Sequence, residues 1–246
     1  MDTSTNATLT TQVDLHVHTI SSGHAFSTVE EIAHAAAARG LAGIAITDHG
    51  PALPGAPHRY HFMVQHKFLP EYLHGVRIFS GIEANIRNGG SVDLDDTHLA
   101  RLDVVLAGFH AECGYTGDSV VVNTDTVLEV MANPQVNIIS HPGNPEFPVD
   151  YRRLVEQALA TGTALEINSS SFSKTRHGSA GNCMEIARLC AELGAPVAIG
   201  SDAHIACAVG EHGEALAALA QAGVAPQQVV NRTLAATLAF LGKSED

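Results

Sequence analysis

The feature that most constrains the fold is a repeated unit, in which an apolar segment of strand length ends in a polar residue and a helical pattern follows. Seven such segments span residues 13–18, 42–47, 76–86, 103–109, 136–140, 163–168 and 196–201. Largely apolar segments indicate strands buried on both faces, and their alternation with helices predicts a parallel sheet. We therefore expect a single α/β domain.

The helical patterns lie between these segments and after the last one. They span residues 28–39, 68–74, 97–101, 124–132, 151–160, 182–193, 211–222 and 226–241. Thr28 and Glu31 have the spacing of a capping box, which is typical of a helix N-terminus. Residues 51–66 contain three prolines and three histidines and are predicted to form a long loop, a kind of segment that is often functional.

Potential metal ligands stand at the ends of six of the seven predicted strands, and only the sixth strand, which ends at Asn168, has none. They are His16, His18, Asp48, His49, Glu83, His110, His141, Asp202 and His204. In an α/β barrel the carboxyl ends of the strands meet at one mouth, whereas a doubly wound sheet spreads them along an edge. The distribution therefore favours a closed barrel with several metal ions at its mouth.

The first and last strands carry similar pairs of polar residues. His16 and His18 lie on one face of the first strand, and Asp202 and His204 repeat their spacing after the last. A strand whose histidines face water is the alternative for the first pair. Barrel closure makes the two strands neighbours. We then expect a His16 ring nitrogen and an Asp202 carboxylate oxygen within about 6 Å, because metal–ligand bonds are near 2 Å.

Composition excludes several classes of protein. The net charge of −13 argues against a protein that coats nucleic acid, because lysine and arginine must neutralise phosphates. No apolar run approaches the roughly 18 residues that span a membrane. The four cysteines form no CxxC motif, and residues 1–12 have no signal-peptide pattern. We expect a flexible tail at 1–12, one domain at 13–246 and a cytoplasmic protein; a homo-oligomer is compatible with the sequence.

Five segments resemble, in order, the motifs of the PHP (polymerase and histidinol phosphatase) superfamily. They are residues 14–18, 47–49, 81–83, 140–142 and 200–204. Shorter matches at residues 50–51, 56–58 and 61–62 resemble the YcdX-type branch of phosphatases. The resemblance implies a distorted (β/α)7 TIM-like barrel with three divalent metal ions, which are zinc, manganese or iron in this family.

The resemblance also implies a set of ligands for each ion. The first ion would be bound by His16, His18, Glu83 and Asp202; the second by His24, His49 and His204; and the third by Glu83, His110 and His141. Nitrogen-rich sites suit zinc or iron better than magnesium, and we expect zinc.

The chemistry that follows is hydrolysis of a small phosphomonoester by a metal-activated hydroxide. Only two of the nine ligands are carboxylates, so the three ions keep a positive charge that suits a dianionic phosphate ester. The expected catalytic residues are Asp48, Glu83 and Asp202. Asp48 would either orient a ligand histidine or protonate the leaving group.

Two loops supply candidates for substrate binding, with a solvated surface as the alternative. The candidates are His58, Arg59, His61, Lys174 and Arg176. The expected partner is a small phosphorylated metabolite, with neither membrane nor nucleic acid. The rival functions are histidinol-phosphate phosphatase, hydrolysis of a phosphodiester or nucleic-acid end, and a non-catalytic module stabilised by metal.

Overall fold

Nine strands form the sheet of the computed structural model, which describes residues 9–244. They are β1 (Val13–Val17), β2 (Gly43–Ile46), β3 (Tyr72–Leu73), β4 (Val76–Arg87), β5 (Ser91–Val92), β6 (Val104–Gly108), β7 (Ile138–Ile139), β8 (Ala164–Asn168) and β9 (Val197–Gly200). Seven of them pair in parallel in the order β1-β2-β4-β6-β7-β8-β9, while β3 and β5 are short antiparallel additions to β4. The seven predicted strands are confirmed.

The seam between β1 and β9 nearly closes the sheet into a barrel. At its carboxyl end, the amide of Asp202 donates to the carbonyl of His16 at 2.9 Å, and the amide of His18 donates to Ala203 at 2.9 Å. At its amino end, the Asn231 side chain donates to the carbonyls of Val13 and Ile199, both at 2.7 Å. The predicted seven-stranded TIM-like barrel is therefore confirmed.

Within residues 9–244, eight α-helices connect and cover the strands. They are α1 (Val29–Ala38), α2 (Tyr60–Phe68), α3 (Asp96–Leu99), α4 (Val120–Met131), α5 (Tyr151–Thr161), α6 (Ser179–Leu193), α7 (Gly213–Ala222) and α8 (Leu234–Phe240). The capping box at α1 is confirmed, because the Thr28 hydroxyl accepts from the amide of Glu31 and the Glu31 carboxylate accepts from the amide of Thr28. None of the described helices is long and apolar enough to cross a membrane.

The prediction for residues 51–74 is wrong in its second half. The loop ends at Arg59, where α2 begins, and β3 occupies part of the predicted helix 68–74. Tertiary contacts explain the difference: Phe62 and Gln65 are buried, and the Gln65 side-chain oxygen accepts from the amide of Gly81 at 2.8 Å. A local pattern does not reveal these contacts with the sheet.

The two ends of the chain also differ from expectation. The predicted helix 226–241 is interrupted, because a 3₁₀ turn at Pro226–Gln228 is followed by the strand-bridging Asn231 before α8 begins. Residues 1–8 of the predicted tail lie outside the described residues. Within its remainder, Thr11 donates to the carbonyl of Asn231 at 2.8 Å, so contact with the barrel begins before Val13.

The barrel interior is filled by a compact apolar cluster below the mouth. It is formed by alternate residues of the strands, including Leu15, Phe79, Leu106 and Ile138, with Leu238 of α8 packed against it. This cluster fills the amino end of the barrel, as interior layers do in α/β barrels. The carboxyl ends of the strands are left for polar residues.

Candidate metal centre

Glu83 stands at the centre of the polar residues at the barrel mouth. Its Oε1 atom lies 2.7 Å from Nε2 of His141 and 3.2 Å from Nε2 of His110. Its Oε2 atom lies 3.0 Å from Nδ1 of His49 and 3.2 Å from Nε2 of His16. Each oxygen of one buried carboxylate therefore faces a different group of imidazoles.

Asp202 joins the first and last strands at the same mouth. Its Oδ1 atom lies 3.2 Å from Nε2 of His18 and 3.6 Å from Nε2 of His16, and these two ring nitrogens are 3.0 Å apart. The distance between His16 and Asp202 is well inside the limit of about 6 Å that the shared ion requires.

The remaining predicted ligands, His24 and His204, lie at the outer side of this cluster. Their Nε2 atoms are 3.0 Å apart, and His204 also belongs with His18 and His49 to a group whose ligand atoms lie within 4.8 Å of one another. Two further groups meet the same limit, one of His16, His18 and Asp202 and one of His49, Glu83 and His110. The structure thus brings all nine predicted ligands together at the mouth.

Unsatisfied polar atoms in this cluster fit a metal ion. Oε2 of Glu83, Oδ1 of Asp202 and Nδ1 of His49 are buried and have no hydrogen-bond partner within residues 9–244. Buried polar atoms are almost always paired, and an ion would satisfy several of these at once. The donors are mainly imidazole nitrogens, which suit zinc or iron.

Electrostatics favour the metal-binding protonation states of His18, His141 and Glu83. At His16 the carboxylates of Glu166 and Glu83 outweigh burial and raise the pKa well above its ordinary value, so a metal ion there would have to displace a proton. Burial, reinforced by His49, lowers the pKa of His18 to about 3. Burial, reinforced by Arg176, lowers the pKa of His141 to about 4. Burial alone would raise the pKa of Glu83, but His16 and His110 hold it well below its ordinary value. Neutral imidazoles and an ionised carboxylate are the forms that act as ligands.

Glu166 of β8 is a buried carboxylate at the site that is not among the residues predicted from the sequence. Its Oε1 atom lies 2.7 Å from Nδ1 of His16, and its Oε2 atom accepts from the amide of His141 at 2.8 Å. A Cβ atom on Gly200 would lie 2.1 Å from Oε1, so this contact requires glycine there. Its signal was the alternation of Glu166 and Asn168 on the inner face of one strand.

Asp48 lies beneath the cluster and is held by hydrogen bonds. Its Oδ1 atom accepts from the amide of Thr19 at 2.7 Å and from the hydroxyl of Ser22 at 2.7 Å. The Ser22 hydroxyl also lies 3.1 Å from Nδ1 of His18. Although burial opposes ionisation, contact with His61 and these donors lower the pKa of Asp48 to about 2. The Ser22 hydroxyl therefore links the Asp48 carboxylate to the His18 ring by hydrogen bonds.

The backbone is unusual at three of the site residues. His141, Arg176 and Asp202 have φ values of 33°, 49° and 56°, in the left-handed region. Such conformations cost free energy in residues other than glycine and often occur at functional sites. The strain at His141 and Asp202 directs two predicted ligands into the mouth.

A cleft of about 640 Å³ opens above the cluster, and it contains only part of the predicted substrate-binding set. Lys174 and Arg176 line it, and both terminal nitrogens of Arg176 donate to Oδ2 of Asp202 at 2.9 Å. His61 instead lies 3.2 Å from Asp48. His58 and Arg59 line a different cleft.

Comparisons with known proteins agree with this geometry. A family model described as PHP domain matches residues 14–143. A probable phosphatase of Syntrophotalea carbinolica is 58% identical over 236 residues, which cover 96% of this chain and 98% of that protein. The chain belongs to the PHP domain family. The resemblance predicted from the ordered motifs is therefore confirmed.

A second relative and a solved structure extend the comparison. A probable phosphatase of Thermoanaerobacter sp. is 44% identical over 220 residues, covering 89% of each chain. A histidinol phosphate phosphatase from Lactococcus lactis has been solved with zinc, L-histidinol and phosphate. Its structure superposes on this one with a TM-score of 0.59 at 16% sequence identity, and the match covers 88% of this chain and 95% of that chain. This likeness shows the shared barrel, and the relatives confirm the predicted phosphatase class.

Proposed function

We propose that this PHP domain protein is a metal-dependent phosphatase that hydrolyses small phosphomonoesters at a site for three divalent ions. The observation that carries the proposal is the position of Glu83, whose two oxygens face separate groups of imidazoles. A bridging carboxylate with two such faces is suited to binding more than one ion.

The proposed ligands follow the motif assignments. His16, His18 and Asp202 would hold one ion with Glu83; His24, His49 and His204 a second; and His110 and His141 a third with Glu83. Zinc is the metal we favour, because seven of these nine side chains are imidazoles. The zinc in the Lactococcus lactis structure supports this choice.

Bound ions would supply a water with a pKa near 7 and would stabilise charge that develops on the phosphoryl group. Only two of the nine ligands carry negative charge, so the loaded site would attract a dianion. Lys174 and Arg176 also line the cleft above it, where they pair with the carboxylates of Glu211 and Asp202, so the excess positive charge would come from the ions. This charge distribution favours a phosphate ester over a neutral substrate.

Asp48 is proposed to orient a ligand rather than to protonate the leaving group. Its hydroxyl partner Ser22 contacts His18, and a carboxyl with a pKa of about 2 carries no proton to donate at neutral pH. Glu166 is proposed to orient His16 in the same way, through its contact with Nδ1. Partners of this kind commonly set the orientation of ligand histidines.

The test combines metal analysis with a panel of phosphomonoesters and phosphodiesters, using the wild type, His141→Ala and His66→Ala. His66 is an exposed residue of α2 and serves as the matched control. We expect bound zinc and monoester hydrolysis in the wild type and His66→Ala, and a loss of both in His141→Ala. Full metal occupancy without turnover of either class would contradict the proposal and favour a metal-stabilised module.

Two enzymatic alternatives are separated by the same panel. Histidinol phosphate belongs in it, because the Lactococcus lactis neighbour is a histidinol phosphate phosphatase. A preference for diesters or nucleic-acid ends would favour the second alternative, which the net charge of −13 opposes. Hydrolysis of several small monoesters in preference to both is the expected result.

A further inference from the structure

A second cleft, of about 600 Å³, lies beside the one above the metal centre. We refer to it as the basic cleft. Its walls come from the loop before α2, the end of β4, the strand β5 with the segment that leads to α3, and the segment before α4. Among its lining residues are Pro51, Arg59, Arg87, Asp93, Asp95 and Gly114.

Two arginines of the basic cleft have no anionic partner in the part of the chain that the structure describes. The chain has 26 acidic and only 13 basic residues, yet no carboxylate within residues 9–244 forms an ion pair with Arg59 or Arg87. The guanidinium of Arg87 lies against the cleft wall, because a Cβ atom on Gly114 would be 3.4 Å from its Nη2 atom. Arg101, Arg188 and Arg232 also lack an ion pair within these residues, so it is the shared position of Arg59 and Arg87 in one cleft that indicates an anionic ligand.

The two carboxylates of the basic cleft are already engaged. Asp93 accepts from the amide of Ala52 at 2.7 Å and from the amide and side chain of Asn85 at 2.8 and 2.6 Å. Asp95 caps α3 and lies 2.6 Å from the ring of His98. The two aspartates therefore make hydrogen bonds within the cleft walls. The guanidinium groups of Arg59 and Arg87 are the donors left to bind a ligand.

The basic cleft and the metal centre share two walls. Pro51 lines the basic cleft, and Leu53, two residues later, lines the cleft above the metal centre. Likewise, Gly114 lines the basic cleft, and Glu112, two residues earlier, lines the cleft above the metal centre. Consecutive Cα atoms are about 3.8 Å apart, so each shared wall spans no more than about 8 Å of chain. One small molecule could reach both clefts.

We propose that the basic cleft binds a second anionic group of the substrate, a phosphate or a carboxylate, while the metal centre holds the phosphoryl group to be removed. This inference rests on the proposed phosphatase function and defines its substrate class as small bis-anionic phosphomonoesters. Arg59 then recognises the leaving group rather than the reacting phosphate. Arginine suits this role because its fixed fork of donors matches phosphate and carboxylate oxygens.

The experiment compares α,ω-alkanediphosphonates of increasing chain length with alkylphosphonates of the same length. Carbon–phosphorus bonds resist phosphatases, so calorimetry on the metal-loaded protein measures binding alone. We expect the best diphosphonate to bind about tenfold more tightly than its monophosphonate, the effect of one added charge-assisted interaction. The variant Arg59→Gln/Arg87→Gln should lose that advantage, whereas its affinity for the monophosphonate should stay unchanged.

Arg101→Gln is the matched control, because Arg101 is exposed and precedes β6 at the opposite end of the barrel. The single variants Arg59→Gln and Arg87→Gln each should lose part of the advantage, which keeps the test valid if the double variant does not fold. The inference would be overturned if the protein bound both phosphonates equally or bound neither. It would also be overturned if the tighter binding of the diphosphonate survived these substitutions. Failure to hydrolyse any member of the phosphomonoester panel would contradict the proposed function instead.

Discussion

Nδ1 of His16 lies 2.7 Å from Oε1 of Glu166, and this contact links the first strand of the barrel to the sixth. Glu166 also accepts a hydrogen bond from the amide of His141 at 2.8 Å. One buried carboxylate therefore fixes two of the proposed metal ligands on separate strands. The contact directs the opposite nitrogen of His16, Nε2, towards Glu83 and Asp202.

Glu166→Gln should lower metal affinity by about 10–100-fold, because partners of ligand histidines set ring orientation and basicity. The measurement is zinc retention against a competing chelator, with the melting temperature recorded in parallel. Glu156→Gln, at an exposed position of α5, is the control and should retain wild-type affinity. Unchanged zinc retention in Glu166→Gln would show that His16 needs no such partner.

Arg176→Met should destabilise the metal-free protein more than the metal-loaded protein. Arg176 donates two hydrogen bonds to the buried carboxylate of Asp202, and removing one partner of a buried ion pair costs about 3 kcal/mol. Bound ions would compensate the same carboxylate. Urea unfolding with and without chelator measures the two losses. Arg188→Met, at an exposed position of α6, should change neither; equal losses in Arg176→Met would contradict the prediction.

Phe79→Ala should lower the free energy of unfolding by about 3–5 kcal/mol, because it leaves a cavity inside the barrel. Phe79 is fully buried in the apolar cluster below the metal centre. Phe68→Ala is the control, since its ring is 70% exposed and its loss should cost less than about 0.5 kcal/mol. Urea unfolding measures both, and similar losses in the two variants would contradict the assignment of Phe79 to the core.

Of the four cysteines, Cys207 alone should react rapidly with a thiol reagent at pH 8. Cys113, Cys183 and Cys190 are buried, and burial raises the pKa of Cys113 and of Cys190 to about 12. Their thiols are therefore neutral at pH 8, and only the thiolate is nucleophilic. A colorimetric thiol assay should count one fast thiol in the wild type and none in Cys207→Ser. More than one fast thiol in folded wild type would contradict the buried positions.

The barrel could be predicted from the sequence because apolar strand-length segments and polar strand ends are local patterns. His16, His18, Asp202 and His204 could be placed at one mouth because barrel closure brings the first and last strands together. The missed features depend on distant contacts. Glu166 was overlooked because its role requires His16 as a partner, and α2 was mistaken for a loop because Gln65 is bound by the sheet.

The predicted substrate-binding residues show most clearly that a local sequence pattern does not reveal contacts between distant segments. Proximity in the chain placed His58, Arg59 and His61 in one group, but the structure assigns Arg59 to the basic cleft and His61 to Asp48. A loop's residue types indicate its chemistry, whereas the cleft into which each side chain extends depends on how the neighbouring segments pack.

The sequence by itself determined the strand pattern, the types of ligand and the family, because these depend on residue identity and spacing along the chain. Only the tertiary structure decided which oxygen of Glu83 faces which imidazoles, and that Arg59 and Arg87 share a cleft beside the metal centre. The physical reason is that such relationships are distances between residues far apart in sequence. Packing of the whole barrel sets those distances, and no local pattern encodes them.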